Sequence, residues 1–202
     1  MLDNLTKIDK GDVQMNTLEY ALKKNPIISA IIDDKYVNKA LKSNCNIVIL
    51  IQSDICTLKE VVNKFKATDK IVLVHMDLIK GLKRDSSGIK YLANYIGVDG
   101  IVTTHANLIR VAKEFNLLTI QRVFILDTAS IAEAVKLTKS ARPDGIEILP
   151  GIAIPYIKDQ LAPMATCPII AAGLINTKEE IDNILKNGAK GISSSSYELW
   201  NY

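Results

Sequence analysis

The amino-acid sequence predicts an α/β protein built as a compact TIM (β/α)8 barrel. Eight short apolar runs rich in isoleucine and valine recur about every 23 residues, and helical patterns lie between them. Each run is almost continuously apolar, as is typical of parallel strands that are covered on both faces. Eight is the number of strands that closes this barrel, and an open doubly wound sheet is the structural alternative. The predicted strands are 27–32, 46–51, 71–76, 99–104, 117–123, 143–149, 167–172 and 189–194.

Four of the stretches between these runs carry apolar residues at helical spacing. Thr57 and Thr128 are the predicted N-caps of the first and third of these helices. In the fourth, Thr177 and Glu180 match the capping-box pattern, and a glycine after Asn187 marks the expected end. The predicted helices are 57–67, 105–116, 128–139 and 177–187.

The chain is expected to form one domain over residues 25–202, preceded by an N-terminal leader over residues 1–24 that is partly flexible. Residues 1–14 are polar and irregular. Residues 17–24 place Leu18, Ala21 and Leu22 on one face. This segment therefore has two interpretations, a short helix that plugs the bottom of the barrel and a loose terminal turn.

Composition excludes several classes of protein. The 202 residues are 48% hydrophobic and 23% charged, the balance of a globular domain, and the net charge of +3 does not indicate a general nucleic-acid binder. The sequence has no apolar window long enough for a membrane span and no apolar stretch of a secretory signal at its start, so a cytoplasmic location is expected. Three cysteines without a CxxC pair and two histidines argue against a zinc site or a disulfide framework. We predict no metal and no cofactor.

Polar residues end nearly every predicted strand. In a parallel barrel the functional side chains gather at the carboxyl ends of the strands. One polar strand end is uninformative, because loops are polar, but eight that converge on one mouth predict a polar pocket. The residues expected to line it are Gln52, His75, Asp77, Thr103, Gln121, Arg122, Glu147 and Gly151.

The segments after the last two strands predict an anion site. Loops after strands seven and eight commonly hold phosphate in this fold, because glycine lets the backbone approach and free amides and hydroxyls donate to the anion. The alternative is that the serines cap the final helix and the glycine makes a turn. The expected phosphate-binding residues are Gly173, Leu174, Ser193, Ser194, Ser195 and Ser196.

Two titratable side chains in the predicted pocket have both functional and structural interpretations. His75 and Asp77 are two residues apart, so on one strand they would project to the same face and form an acid–base pair or a polyol clamp. Glu147 interrupts an apolar strand, and a carboxylate that points into the barrel needs a partner, for which Arg122 and His75 are the candidates. The alternative is hydrogen-bonded structure at His75 and a purely structural ion pair at Glu147.

A basic cluster, Lys80, Lys83 and Arg84, occupies the loop after the third strand. Such a cluster is either a solvated loop or a contact for an anion or a nucleic acid. Aromatic residues make up 5% of the chain, and the sequence shows no aromatic platform on which RNA bases would stack.

The sequence resembles the glycerol-3-phosphate-responsive antiterminators of bacterial glycerol operons over about residues 25–202. The segments that carry the resemblance are NPIISAI (25–31), LVHMDLIKGLKRDSSG (73–88), DGIVTTHANLI (99–109), LLTIQRVFILDT (117–128), PDGIEILPGI (143–152), PIIAAGLI (168–175) and the GISSSS…W ending (191–200). The resemblance implies a regulator rather than an enzyme. Its expected partners are glycerol 3-phosphate and a leader mRNA, to which it binds so that polymerase passes a terminator. The polar pocket would then bind the polyol, and the basic cluster the RNA.

Two positions depart from the family pattern. After the seventh strand the family has Ala-Gly-Gly, and here Ala172 takes the middle position. After the eighth strand the family pattern is closer to Thr-Thr-Ser-Asn, and here four serines keep the hydroxyl donors but lose the amide. An extra methyl group at Ala172 would tighten the phosphate loop or shift the ligand.

Two other functions remain open at this point. One is a TIM-barrel enzyme that acts on a small phosphorylated polyol or triose. No lysine ends a strand, which disfavours Schiff-base chemistry, and common catalytic motifs are absent. The other is a ligand-binding protein that regulates through a protein partner. The sequence is compatible with a monomer and with a homo-oligomer.

Overall fold

The computed structural model describes residues 17–202, and its central feature is a closed barrel of eight parallel strands. Each strand pairs with the strands before and after it in the chain, and the last pairs with the first. The predicted barrel is therefore confirmed, and the open doubly wound sheet is not formed. The strands are β1 (Ile27–Ile31), β2 (Ile47–Leu50), β3 (Ile71–His75), β4 (Gly100–Thr103), β5 (Leu118–Phe124), β6 (Gly145–Leu149), β7 (Ile169–Ala172) and β8 (Gly191–Ser194).

Apart from α1, which precedes β1, the helices follow the strands and form the outer layer. All four predicted helices are present, and four shorter ones join them. The helices are α1 (Thr17–Lys24), α2 (Val37–Lys42), α3 (Ile55–Lys66), α4 (Ser86–Tyr91), α5 (Ala106–Glu114), α6 (Thr128–Ala141), α7 (Ile154–Leu161) and α8 (Lys178–Lys186). Among these residues, no helix is both long and apolar enough to cross a membrane.

Two of the predicted helix caps are wrong. Helix α3 begins two residues before Thr57, and its N-cap is Asp54, whose carboxylate accepts from the amide of Cys56. Helix α6 is capped by Asp127 rather than by Thr128. In both cases an aspartate lies just before the helix. Its carboxylate accepts a hydrogen bond from a free amide and interacts favourably with the positive end of the helix dipole. The capping box of α8 from Thr177 and Glu180 is confirmed.

Strand alternation divides the barrel residues into two sets. One set packs outward against the helices, as Val48, Val74 and Ile101 do. The other set fills the barrel interior together with α1, and it includes Ile28, Ile49, Leu73, Val102, Ile120 and Ile170. Because side chains alternate along a strand, residues two positions further along each strand continue the same set towards the mouth.

Helix α1 closes the bottom of the barrel. Leu18, Ala21 and Leu22 are buried in the cluster that fills the interior. Gly145 and Gly191, at the starts of β6 and β8, leave room for it, because a Cβ at either position would lie within 2.7 Å of a leucine methyl group of α1. Residues 17–24 are thus the plug, not the loose turn. The prediction of flexibility for residues 1–14 lies outside the described residues.

Candidate functional site

A cavity of about 270 Å³ opens at the carboxyl ends of the strands. Its walls come from the segments after β7 and β8, and Arg122 brings a positive charge to it. Ala30, Ile51 and Leu149 contribute apolar surface. The structure therefore brings the predicted phosphate residues together in one place. The lining residues in these two segments are Ala172, Gly173, Leu174, Ile175, Asn176, Ser193, Ser194, Ser195 and Ser196.

The segment after β7 makes a sharp turn with exposed amides. Gly173 and Leu174 both adopt the left-handed conformation, with φ of 79° and 57°. This conformation is strained for a leucine, and such strain is found most often at ligand sites. Within residues 17–202, the amides of these two residues donate to no protein acceptor. Gly151 packs against this turn, where a Cβ would lie 2.6 Å from the amide nitrogen of Ala172.

The segment after β8 supplies hydroxyl groups. Ser193 and Ser194 are buried, whereas Ser195 is exposed at the cavity. The hydroxyl of Ser194 accepts from the amide of Ser196 at 3.1 Å. Ser196 precedes the short final 3-10 helix, but its side chain makes no capping hydrogen bond. Helix capping therefore does not account for the serines.

Beneath the cavity lies a buried ion pair. Arg122 on β5 and Glu147 on β6 occupy paired positions in the barrel, and the Arg122 Nε donates to Glu147 Oε2 at 2.6 Å. The side chain of Glu147 is fully buried and that of Arg122 is 10% exposed. Of the two candidate partners for Glu147, the structure selects Arg122. Within the described part of the chain, Glu147 Oε1 has no hydrogen-bond partner, so it is available as an acceptor in the barrel interior.

His75 also faces the barrel interior, at the end of β3, where the charges of Arg122 and Glu147 act on it. Burial, followed by the positive charge of Arg122, lowers the pKa of His75 to about 4, so the imidazole is neutral at pH 7. Neither of its ring nitrogens has a hydrogen-bond partner among residues 17–202. A buried polar group without a partner is costly, and here two such side chains, those of His75 and Glu147, face the interior below the cavity.

The predicted pairing of His75 with Asp77 is wrong. Strand β3 ends at His75, and Asp77 belongs to a short 3-10 helix, so the alternation rule no longer applies to it. Its carboxylate instead accepts from the hydroxyl of Thr103 at 2.6 Å and from the amide and hydroxyl of Thr104. Burial alone would raise the pKa of Asp77, but these hydrogen bonds outweigh it and hold the pKa below its usual value.

Three further predicted pocket residues do not line the cavity. Thr103 and Gln121 have the strand parity of the helix-facing set, and the amide of Gln121 donates to the carbonyl of Thr104 at 2.8 Å. Gln52 is exposed just after β2. Polar strand ends predicted a shared mouth correctly, but they did not distinguish the two faces of each strand.

His105 was missed by the sequence analysis. Its Nδ1 lies 2.9 Å from the Thr104 hydroxyl and 3.6 Å from Asp77 Oδ2. His105 follows Thr103 and Thr104, the polar residues at the end of β4. This position is the only feature of the sequence that could have marked His105 as a site residue.

The basic loop lies at the mouth but apart from the cavity. Lys80 belongs to a two-residue strand, Ile79–Lys80, that pairs with Ser53–Asp54. Lys83 is exposed and lies 2.9 Å from Asp85, which offsets its charge. The assignment of Lys80, Lys83 and Arg84 to RNA stays a prediction. Among residues 17–202, no three His, Cys, Asp or Glu side chains are grouped as a metal site would need.

Comparison with known proteins relates the chain to one family. A curated relative, "Uncharacterized protein YgcP" of Escherichia coli K12, is 30% identical over 91% of this chain and 95% of its own length. The crystal structure of a glycerol uptake operon antiterminator regulatory protein from Listeria monocytogenes is 34% identical, with a TM-score of 0.82 over 87% of this chain and 95% of its own. A related protein from Thermotoga maritima is 32% identical, with a TM-score of 0.76 over 86% and 96%.

The sequence profile of a family matches residues 27–200, which cover the barrel and the final 3-10 helix. This range includes both segments that line the cavity, the buried Arg122–Glu147 pair and the basic loop. The chain belongs to the family described as the glycerol-3-phosphate responsive antiterminators.

Proposed function

We propose that this protein is a transcription antiterminator that senses glycerol 3-phosphate and binds the leader mRNA of a glycerol-utilisation operon. Membership of the family supports a regulatory role. The observation that carries the ligand assignment is the convergence of two loops with free amides, serine hydroxyls and Arg122 on one cavity. This combination of donors and positive charge suits a phosphate dianion.

In this proposal the phosphate binds between Gly173–Leu174 and Ser193–Ser196, and Arg122 offers its guanidinium from below. The glycerol hydroxyls then extend towards the interior, where Glu147 Oε1 and the nitrogens of His75 lack partners. These atoms supply an acceptor and, in the neutral imidazole, one donor and one acceptor. Of the other residues predicted for the polyol, Asp77, Thr103 and Gln121 are held by hydrogen bonds outside the cavity wall, Gly151 packs against the turn after β7, and Gln52 is exposed.

Calorimetry with glycerol 3-phosphate, inorganic phosphate and glycerol tests the ligand assignment. We expect glycerol 3-phosphate to bind more tightly than either fragment. Ser195→Asp should abolish binding, because it places a carboxylate at the phosphate site. Ser140→Asp adds the same charge on the exposed face of α6 and should leave affinity unchanged. Equal affinities for the two serine variants would contradict the site.

The regulatory assignment is tested separately from the ligand site. Phosphorus NMR of glycerol 3-phosphate incubated with the protein should show no change in the ligand. Electrophoretic retention of a leader transcript should require glycerol 3-phosphate. Turnover of the ligand would instead favour the TIM-barrel enzyme, and ligand binding without RNA retention would favour regulation through a protein.

A further inference from the structure

The fold assembles an aromatic cluster that the sequence did not indicate. Tyr36 follows β1 and Tyr197 follows β8, so they are 161 positions apart in the chain but adjacent at the rim. Their rings stack with centroids 5.7 Å apart and an angle of 27° between the planes. We call Tyr36, Tyr197 and the lysines Lys35 and Lys39 the aromatic rim. The sequence shows no such pair, because these tyrosines become neighbours only in the folded chain.

Positive charge lies directly on these rings. The Lys39 ammonium is 3.2 Å from the ring centroid of Tyr197 and 5.7 Å from that of Tyr36. Lys35 lies 5.0 Å from the centroid of Tyr36, although it also pairs with Asp33. Tyr197 is 38% exposed, and both lysines are exposed. The aromatic rim thus offers ring faces and exposed ammonium groups at one place on the surface.

The aromatic rim is joined to the candidate phosphate loop. Tyr197 directly follows Ser196 in the chain, and the buried Trp200 packs edge-on against Tyr36 at 6.5 Å. The indole nitrogen of Trp200 donates to the carbonyl of Ser194 at 2.7 Å. An anion that changes the conformation of Ser193–Ser196 would therefore act on Tyr197, which is next in the chain. It would also act on Trp200, which packs against Tyr36.

We propose that the aromatic rim is the surface that contacts single-stranded RNA, with a base stacked on Tyr197 in the place of the Lys39 ammonium. The displaced lysine then neutralises a backbone phosphate. Stacking on aromatic rings combined with nearby cations is how proteins bind single-stranded nucleic acid. The inference rests on the proposed function, and it identifies the RNA surface and its link to the ligand.

Two other surfaces serve as comparisons. The basic loop, with Lys80, Lys83 and Arg84, has charge, but no aromatic contact is found for it within the described chain. On the outer face, Tyr91 and Tyr95 stack at 5.1 Å with Lys59 4.0 Å from the Tyr95 ring. This second stack has the same chemistry as the aromatic rim, but it lies on α4 and the turn after it and has no link to Ser193–Ser196 of the kind that Tyr197 and Trp200 give the rim. It is therefore a matched control.

Fluorescence anisotropy of a labelled leader transcript, with glycerol 3-phosphate in excess, tests the proposal on the full chain. Tyr197→Ala should weaken RNA binding by about tenfold, the loss expected for one stacked base. Lys39→Glu should weaken it by about as much, because it replaces the cation at a backbone phosphate with an anion. Tyr197→Phe keeps the ring and should bind RNA as the unaltered protein does. Tyr95→Ala and Lys59→Glu should have no effect.

The outcomes separate this inference from the proposed function. If the unaltered protein retains no leader RNA, the RNA-binding part of the proposed function fails and the inference falls with it. If it binds RNA and the rim variants match the Tyr95 and Lys59 controls, only the inference is overturned, and the rim is left to a protein partner. Loss of RNA binding when only Lys80, Lys83 and Arg84 are neutralised would also overturn the assignment of RNA to the aromatic rim. Tyr197→Ala also alters the residue next to Ser196, so Lys39→Glu is the deciding variant. Weaker RNA binding by Lys39→Glu, with the calorimetric affinity for glycerol 3-phosphate unchanged, supports the proposal.

Discussion

Arg122 and Glu147 show how much a single buried residue depends on its partner. Removal of one member of a buried ion pair leaves the other charge unsolvated, at a cost of about 3–5 kcal/mol. Glu147 is fully buried, whereas Arg122 reaches the cavity and water. We therefore expect Arg122→Met to lower the free energy of unfolding by about this amount, and Glu147→Gln to lower it by less. Urea denaturation at pH 7 measures both.

A double variant separates the charge from the packing. Arg122→Met combined with Glu147→Met removes both charges and keeps apolar volume, so it should be more stable than Arg122→Met alone. If the double variant is the less stable of the two, the pair is held by packing and not by charge. Glu147→Gln should also weaken binding of glycerol 3-phosphate more than that of inorganic phosphate, because only the former has hydroxyl groups.

His75 makes the stability of the fold depend on pH. Its pKa of about 4 in the folded protein lies below the ordinary value of 6.5, so between pH 4 and pH 6.5 the unfolded chain binds the proton and the folded chain does not. The free energy of unfolding should therefore fall as the pH decreases from 6.5 to 4, by up to about 3 kcal/mol, and this contribution should be constant above pH 6.5.

The matched variant His75→Gln isolates this effect from the carboxylates that titrate in the same range. Unfolding curves of both proteins at pH 7 and pH 5 give the measurement. The unaltered protein should lose more stability over this interval than the variant does. Equal losses would mean that the imidazole is solvated in the folded state.

Among the elements, α1 is an integral part of the barrel. A Cβ at Gly145 would lie 2.6 Å from Leu18 Cδ2, and its other neighbours are at ordinary contact distances. Gly145→Ala should therefore destabilise the protein by about 1–3 kcal/mol through overpacking. In a Leu18→Ala background, which itself costs about 2–5 kcal/mol, the added methyl group should cost little. Thermal denaturation of the four proteins measures this coupling.

Gly100→Ala is the control for this cycle. There a Cβ would lie 2.3 Å from the backbone carbonyl of Leu118, which no change in α1 relieves. The loss of stability caused by Gly100→Ala should be the same in the unaltered protein and in the Leu18→Ala background. Additive effects of Gly145→Ala and Leu18→Ala would show that α1 does not fill the space above Gly145.

The elements that the sequence predicted well are those with a repeated pattern. The barrel strands appear as apolar runs because both of their faces are buried, and α3, α5, α6 and α8 are long enough to show helical periodicity. Helices such as α2, with six residues, and the two-residue pair Ser53–Asp54 and Ile79–Lys80 are too short for any period. The position of the phosphate segments followed from chain order alone, since the last two strands must lie side by side.

At the scale of the whole molecule, closure of the barrel creates features that local sequence does not contain. Tyr36 and Tyr197 become neighbours only because β1 pairs with β8. Likewise, His75 and Glu147 lie on strands that are not neighbours, and they face one interior only because the sheet closes. Patterns along the chain locate the strand ends. They do not show which face of the sheet a side chain is on, nor which residue of another strand it contacts.

The same closure predicts reciprocal coupling between ligand and RNA. If glycerol 3-phosphate binds at the serine segment and RNA at the adjoining aromatic rim, each must strengthen the other by the same factor, because the coupling free energy is shared. A useful switch needs about 1–3 kcal/mol, or roughly 5- to 150-fold in affinity. Calorimetric titration of glycerol 3-phosphate with and without leader RNA, and anisotropy of the RNA with and without ligand, should give equal ratios of dissociation constants.

Trp200 is the only tryptophan in the chain and contacts both Ser194 and Tyr36, so its fluorescence emission should change on ligand binding. Unequal ratios would show that the RNA measurement includes a second event, such as association of protomers, and an emission spectrum that ligand leaves unaltered would place the coupling outside the Ser194–Trp200 contact.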